Sequence, residues 1–214
     1  MKKRPKRHYD STTRRAAAEQ RRLAVLDSAR RLFLEKGYGS TTMPAIAEAS
    51  DVALDTVYAT VGTKAELFKL LVESALSGQN EAVPADQRDY VQAIREEPDA
   101  ARKLQIYAAA LAEIQPRLAP LVQILQTAAR LDSALGALWQ DISSRRAANM
   151  RLLAKNLVST GRVRAELTEA TVADVLWSMN SPEFYLLLVG QRGWSPAEFG
   201  LWLADAWIRL LLRD

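Results

Sequence analysis

The chain has 214 residues, no Cys, a single His at position 8 and a net charge of +4 at pH 7. We therefore expect no disulfide, no metal, no cofactor and no Cys–His or Ser–His catalysis. No apolar run approaches the ~20 residues of a membrane span, and no apolar segment with a cleavage site follows the basic start, so we expect a cytoplasmic protein without membrane contact.

The positive charge is concentrated at the start of the chain. Residues 1–22 contain nine Lys or Arg and two acidic residues, a net charge of +7, which leaves −3 for residues 23–214. Such an arm is typical of a segment attracted to a polyanion, and equally of a disordered solubilising tail. We assign residues 1–20 as a flexible basic arm and leave both roles open.

Helical periodicity covers nearly all of the chain after residue 20, so we predict an all-α protein. The first predicted helix ends at Gly37, a residue type favoured at helix C-termini, and its apolar face contains Leu23, Leu26, Ala29, Leu32 and Phe33. A second, short helix follows, with Thr42 as its N-cap and Pro44 in its first turn.

A third helix is predicted at roughly 53–59, and its tight link to the second makes the pair a helix-turn-helix candidate. The fourth begins where Thr63 and Glu66 have the spacing of a capping box. Residues 77–90 are polar and lack periodicity, so we place the domain junction near residue 78. Residues 21–77 then form a small domain with a connector helix, and residues 78–214 form a larger one.

In the larger domain we predict helices at about 98–115, 118–131, 133–160, 168–180, 182–189 and 196–212. The last helix, and more weakly the helix at 168–180, is apolar over more of its circumference than one core contact requires. A fully buried helix is the alternative, but terminal helices tend to lie outside, so we predict contact with a second copy. The predicted interface residues are Trp177, Trp202, Leu203, Ala206, Trp207 and Leu210.

The sequence LFLEKGYGSTTMPAIA at 32–47, followed by Val52, Thr56-Val57-Tyr58 and GTKAELF at 62–68, resembles the DNA-binding domain of the TetR family of transcriptional regulators. The resemblance covers about residues 23–72. It implies a three-helix DNA-binding domain, a connector helix and a C-terminal domain that senses a ligand and dimerises, usually through its last two helices. Residues 177–183 and 193–196 also resemble one branch of these regulators.

Three positions depart from the usual pattern of the family. Asp51 stands where Gly is common, although Asp tolerates the left-handed conformation better than most residues. Ala53 stands where Ser commonly caps the recognition helix, which costs ~1 kcal/mol, and Asp55 partly offsets this loss through the helix dipole. Val61 replaces a frequent aromatic residue and is expected to thin the packing under that helix.

The resemblance implies that the start of the third helix reads base edges while flanking groups hold phosphates. We expect Leu54 to contact a thymine methyl group and Asp55 to accept from a cytosine amino group. The Thr56 hydroxyl is expected to bond either a donor or an acceptor on a base edge. The predicted DNA contacts are Thr42, Ala53, Leu54, Asp55, Thr56, Tyr58, Thr60 and Lys64. Core packing is the alternative for Leu54 and Tyr58, and Thr42 has a capping role as its alternative. From the basic arm, we expect Arg4, Lys6 and Arg7 to follow a minor groove or the backbone.

A ligand site in the larger domain would combine apolar side chains with a few polar groups. The candidates are Tyr107, Trp139, Met150, Trp177, Asn180, Phe184 and Tyr185. Core packing is the alternative for each. Tyr107 and Asn180 rank first because their polar atoms need partners in a core. We hypothesise that a ligand rotates the connector 63–77, separates the two recognition helices of a dimer and so releases DNA.

The sequence therefore indicates a homodimeric repressor that a small apolar or amphipathic ligand releases from a pseudo-palindromic operator in double-stranded DNA. The alternative is a DNA-binding regulator without a small-molecule ligand, controlled by a protein partner or by concentration. A cavity within residues 98–190 favours the first and a solid core the second. An enzyme is disfavoured, since the adjacent carboxylates Glu96 and Glu97 point in different directions on a helix.

Overall fold

The computed structural model describes residues 11–79 and 81–213 of the chain. These residues form ten α-helices, and their only strand-like pairing is an isolated antiparallel bridge between Val163 and Leu212. The predicted all-α class is confirmed. None of the described helices combines the length and the apolar character that crossing a bilayer requires. Arg4, Lys6 and Arg7 of the basic arm lie outside the described residues.

The chain divides into two compact units, Met1–Leu67 and Phe68–Asp214. The first contains α1 (Ser11–Ser40), α2 (Met43–Ser50), α3 (Leu54–Val61) and the start of α4 (Lys64–Ser77). The boundary falls inside α4, earlier in the chain than the junction expected near residue 78. The second half of the segment assigned as a flexible arm is helical, because residues 14–20 are mostly strong helix formers although they lack an apolar face.

The core of the first unit is formed by the inner faces of its helices. Regular helical geometry in α1 stops at Gly37, whose φ of 74° and ψ of 172° suit a residue without a side chain. Val25, Leu26, Ala29, Leu32 and Phe33 of α1 are buried, together with Ile46, Ala47, Val57 and Val61. The predicted apolar face of α1 is therefore the core face, except that Leu23 is only half-buried.

The second unit contains a 3-10 turn at Ala85–Gln87, then α5 (Asp89–Glu96), α6 (Ala100–Ala128), α7 (Ser133–Ser159), α8 (Glu169–Met179), α9 (Pro182–Tyr185), a π-helical turn at Leu186–Gln191 and α10 (Pro196–Leu211). Helix α5 was not predicted, because it is short and begins within the polar segment 77–90. Of its residues, only Ile94 is buried.

The two helices predicted at 98–115 and 118–131 are one helix, α6, which continues through Pro116 and Pro120. Each Pro removes a backbone hydrogen bond. Packing before and after Pro116 along the helix outweighs that loss, since Ile114 and Gln115 on one side of it and Leu118 on the other are buried. Helix α6 is the central element of the second unit and packs against α5, α7, α9 and α10.

Candidate nucleic-acid interface and internal cavity

The turn between α2 and α3 depends on Asp51. Its φ of 53° and ψ of 40° lie in the left-handed region, as the sequence suggested for this substitute for Gly. The Asp51 N–H donates to Glu48 O at 3.2 Å, and the Val52 N–H donates to Ala47 O at 3.1 Å. These bonds satisfy the last carbonyls of α2 and set the direction in which α3 begins.

The N-terminus of α2 is held by two threonines with different roles. The exposed Thr42 is the predicted N-cap, and its Oγ1 accepts from the Ala45 N–H at 3.3 Å. Thr41 is buried and its hydroxyl lies 2.8 Å from Gly37 O and 3.1 Å from Leu32 O. Thr41 thus joins the end of α1 to the start of α2, a role that was not predicted from the sequence.

Helix α3 has one buried and one exposed side. Val57 and Val61 are buried, whereas Asp55 is exposed and Tyr58 is 45% exposed. Ala53 has an extended backbone and provides no side-chain cap. Leu54 and Thr56 are half-buried, and the Thr60 hydroxyl donates to Thr56 O at 2.6 Å.

The predicted capping box at the start of α4 is present. The Thr63 N–H donates to Glu66 Oε2 at 2.7 Å, and the Glu66 N–H donates to Thr63 Oγ1 at 3.3 Å. The two bonds from Thr63 lower the pKa of Glu66. In the same unit, Lys64 Nζ lies 4.1 Å from the centre of the Tyr38 ring, which stacks on Phe33. A cation is thus held at the N-terminus of α4.

The second unit contains a cavity of about 900 Å³ that is partly open to solvent. It lies between α4, the segment 82–95, α6 and α7, with Asn180 and Pro182 at one side. Much of its wall is apolar and includes Leu111, Ile114, Leu118, Val122, Ile142 and Leu153.

A buried polar cluster centred on Asn180 forms part of the cavity wall. Arg146 Nη1 donates to Asn180 Oδ1 at 3.0 Å, and Asn180 Nδ2 lies 2.8 Å from the Tyr107 hydroxyl and 2.9 Å from Met150 Sδ. Gln115 Nε2 donates to the backbone oxygen of Asn180 at 2.7 Å. Burial raises the pKa of Tyr107 and lowers the pKa of Arg146.

An ionic group lines another part of the cavity. Arg145 Nη2 lies 2.6 Å from Glu73 Oε1 and 2.9 Å from Asp141 Oδ2. The hydrogen bond to Glu73 is the main reason that the pKa of Arg145 is raised. Both Glu73 and Arg145 line the cavity, and both lie in the second unit.

Residues 25–71 match the family model described as bacterial regulatory proteins, tetR family. This segment is a TetR-family DNA-binding domain. It includes the Asp51 turn, the helix with the exposed Tyr58 and the capped start of α4. The match confirms the resemblance to TetR-family DNA-binding domains that the sequence indicated for about residues 23–72. No curated protein matches the chain closely enough in sequence to serve as a relative.

Solved structures share the fold of most of the chain. NalD of Pseudomonas aeruginosa, the secondary repressor of the MexAB-OprM multidrug efflux pump, is 23% identical over 93% of this chain and 99% of its own, with a TM-score of 0.71. A transcriptional regulator from Saccharomonospora viridis, solved with choline, is 18% identical over 90% and 98%, with a TM-score of 0.66. SmeT in complex with triclosan is 17% identical over 91% and 92%, with a TM-score of 0.63. The TetR-like fold is thus common to these proteins and this chain.

Of the side chains predicted to bind a ligand, Tyr107, Trp139, Met150 and Asn180 line the cavity. The other three lie elsewhere. Phe184 and Tyr185 pack against Phe199 of α10. The guanidinium carbon of Arg146 lies over the ring of Trp177, 4.4 Å from the ring centre. Three polar residues of the cavity wall were not predicted from the sequence: Gln115, Arg146 and Glu73. A Gln between Ile114 and Pro116 in an apolar stretch was the one visible signal.

The predicted interface residues divide into two groups. Leu203 and Trp207 are fully buried in the core of their own chain, where Trp207 stacks on Tyr107 with ring centres 5.5 Å apart. The exposed large side chains of the set are Trp177, Trp202 and Leu210, and Ala206 is half-buried. The excess apolar character of α10 therefore has two sources, a core face and an exposed stripe.

Proposed function

We propose that this TetR-family protein is a homodimeric, sequence-specific transcriptional repressor that a small amphipathic ligand releases from its operator. The observation that carries the proposal is the 900 Å³ cavity in the same chain as the DNA-binding domain. Its volume lies within the ~300–1,000 Å³ of small-molecule sites, and its wall combines apolar side chains with a few polar groups. Two proteins of the same fold support the proposal, since NalD is a repressor and SmeT was solved in complex with triclosan.

The DNA contacts follow from the exposed side of α3 and the helix N-termini beside it. Leu54, Asp55 and Thr56, with Ala53 before them, enter the major groove. Tyr58 extends from the exposed side of the helix to a phosphate. The Thr60 hydroxyl donates to Thr56 O, so it donates to a phosphate only after this hydrogen bond breaks.

Two further contacts hold phosphates at helix N-termini. Thr42 accepts from Ala45, so its own hydroxyl proton remains available to a phosphate oxygen. The ammonium of Lys64 adds a full charge where the backbone N–H groups and the helix dipole already attract an anion.

The dimer forms through the exposed stripe of α10. Trp202, Ala206 and Leu210 are spaced four residues apart and so lie on one face of the helix. Trp202 is 39% exposed and Leu210 is 52% exposed, and a second copy would remove this apolar area from water. A two-fold dimer reads a pseudo-palindromic operator.

The ligand acts through α4, the helix that contains both Lys64 and the cavity-lining Glu73. It shifts the protein between two states only if it binds one of them more tightly. The state with bound ligand separates the recognition helices and lowers operator affinity. A regulator without a small-molecule ligand, controlled by a protein partner or by concentration, is the alternative, and the cavity favours the ligand-sensing function over it.

Selection of bound sequences from a random duplex pool at near-physiological salt tests DNA recognition. The parent protein should recover an inverted repeat, whereas Tyr58→Ala and Lys64→Ala should lose it. Lys155→Ala, which removes an exposed charge from α7, is the matched control and should recover the same repeat. Salt-sensitive binding without a shared sequence would contradict the proposal.

Sedimentation tests the dimer. Trp202→Ser and Leu210→Ser should dissociate the protein at concentrations where the parent is dimeric. Leu131→Ser, at a position that is 92% exposed, is the control and should leave the dimer intact. A monomeric parent protein would rule out this interface.

Deletion of residues 1–10 tests the basic arm. If the arm neutralises phosphates, the truncated protein should show a smaller change of operator affinity with salt concentration. An unchanged salt dependence would assign the arm a solubilising role instead.

A further inference from the structure

The hydrogen bonds around Asn180 determine which polar atoms of the cavity wall remain available. A guanidinium only donates, so the side-chain atom of Asn180 beside Arg146 is the oxygen and the amide nitrogen faces Tyr107. Tyr107 is therefore the acceptor in this bond. Its own hydroxyl proton has no acceptor among the described residues and remains available as a donor at the cavity wall.

Arg146 provides further donors at the same place. Both of its hydrogen bonds come from Nη1, one to Asn180 Oδ1 and one to Trp177 O at 3.2 Å. Among residues 11–79 and 81–213, no carboxylate forms a salt bridge with this guanidinium. A half-buried cation that lines a largely apolar cavity thus has no carboxylate in salt-bridge contact, although the charge of Glu183 acts on it from a longer distance, and it retains N–H groups on Nη2 and Nε.

One buried acceptor also remains unmatched. Gln115 is 1% exposed and lines the cavity, and its Nε2 is bonded to the backbone oxygen of Asn180. Its Oε1 has no partner within the described part of the chain. Leaving a buried amide oxygen without a donor is unfavourable, so a ligand that brings an N–H or O–H to this oxygen is favoured.

The charges of the cavity wall favour an anion. The lining contains five cationic and two anionic side chains, a net charge of +3: Lys69, Arg88, Arg95, Arg145 and Arg146 against Glu73 and Asp86. Glu73 is the more buried of the two carboxylates, and Arg145 already pairs with it. A cationic ligand would therefore meet Arg146 without a free buried carboxylate to bind it.

We infer that the cavity binds an anionic amphipath. The ligand has an apolar body and a carboxylate or sulfonate that pairs with Arg146 and Tyr107, next to an N–H or O–H that donates to Gln115. This inference rests on the proposed function of the cavity as the effector site. It adds the charge and the hydrogen-bonding pattern of the effector.

Two matched fluorescent probes test the inference on the full-length protein. 8-Anilinonaphthalene-1-sulfonate has an N–H beside its sulfonate, and N-phenyl-1-naphthylamine has the same rings and N–H without the anion. The parent protein should bind the sulfonate at least about tenfold more tightly, as a charged hydrogen-bonded pair implies. Val91→Trp enlarges a half-buried side chain of the cavity wall and should weaken the binding of both probes.

Three variants locate the anion. Arg146→Met should weaken sulfonate binding about tenfold and leave the binding of the neutral probe within about twofold. Tyr107→Phe should weaken only the sulfonate, by a smaller factor. Arg151→Met is the matched control, because Arg151 is an exposed arginine of the same helix that does not line the cavity, and it should bind both probes as the parent does.

The outcomes separate this inference from the proposed function. Unchanged sulfonate affinity in Arg146→Met, or equal weakening of both probes, would overturn anion recognition and leave a ligand-binding cavity. Tighter binding of the neutral probe by the parent would do the same. If neither probe binds, or if Val91→Trp affects neither, the cavity is not a ligand site, and both the inference and the proposed ligand response fail.

Discussion

Glu73 of α4 and Arg145 of α7 form a salt bridge in which Arg145 Nη2 lies 2.6 Å from Glu73 Oε1. The Glu73 side chain is only 10% exposed, whereas that of Arg145 is 45% exposed. Water therefore screens one partner and hardly reaches the other. The pair attaches α7 to the part of α4 that lies in the second unit.

Arg145→Met should reduce the free energy of unfolding because it leaves the Glu73 carboxylate buried without its cation. A fully buried pair loses about 3–5 kcal/mol when one partner is removed, and the exposure of Arg145 reduces our expectation to about 1–2 kcal/mol. Urea denaturation measures this change. Arg209→Met breaks the exposed pair with Asp205 and should cost less than about 0.5 kcal/mol. Equal losses in the two variants would contradict the role of burial.

Gly200→Val should destabilise the contact between α10 and α6. A Cβ on Gly200 would lie 2.9 Å from Ala112 Cβ and 3.2 Å from Ala108 O, so a larger side chain forces the helices apart. We expect a loss of about 1–3 kcal/mol, measured by thermal or urea unfolding. Ala197→Val adds the same side chain at an exposed position of α10 and should change stability by less than about 0.7 kcal/mol. A stable Gly200→Val protein would show that the contact tolerates expansion.

Ala53→Ser should stabilise the first unit. Ala53 is the N-cap of α3 and has an extended backbone, but its methyl group cannot accept from the first N–H groups of the helix. A Ser hydroxyl there should add about 0.5–1 kcal/mol to the free energy of unfolding, measured in urea. Ala59→Ser, at an exposed interior position of α3, should give no gain. If both variants behave alike, Ala53 is not in a capping geometry.

Glu198→Gln should change the pH dependence of stability. The backbone N–H and the hydroxyl of Ser195 bond to the Glu198 carboxylate in a capping box and lower its pKa. A group whose pKa is lowered on folding stabilises the protein above its unfolded pKa of ~4.3, and this contribution disappears as pH falls through the folded pKa.

The stability difference between the parent and Glu198→Gln should therefore be largest near neutral pH and should approach zero as the pH falls to 3. Urea midpoints across this range measure it. Glu113→Gln removes an exposed carboxylate from α6 and serves as the control for net charge. A difference that stays constant down to pH 3 would mean that the carboxylate charge does not contribute to the cap.

The local features of the first unit could be predicted from the sequence. Four features each depend on residues within a few positions of one another: the break in α1 at Gly37, the Thr42 cap, the left-handed Asp51 and the Thr63–Glu66 capping box. Caps and turns are short-range interactions, so the residue types and their spacing are sufficient to identify them.

The arrangement of the second unit depended on contacts between distant residues. Periodicity identified the apolar faces of α10, but Trp207 lies in the core and Leu210 at the surface. The Pro residues of α6 indicated a break, which packing on both sides prevented. The cavity wall combines Gln115, Arg146 and Asn180 from three parts of the chain. A sequence pattern shows which side of a helix is apolar, whereas only the packed fold determines what covers that side and which polar atoms remain unpaired.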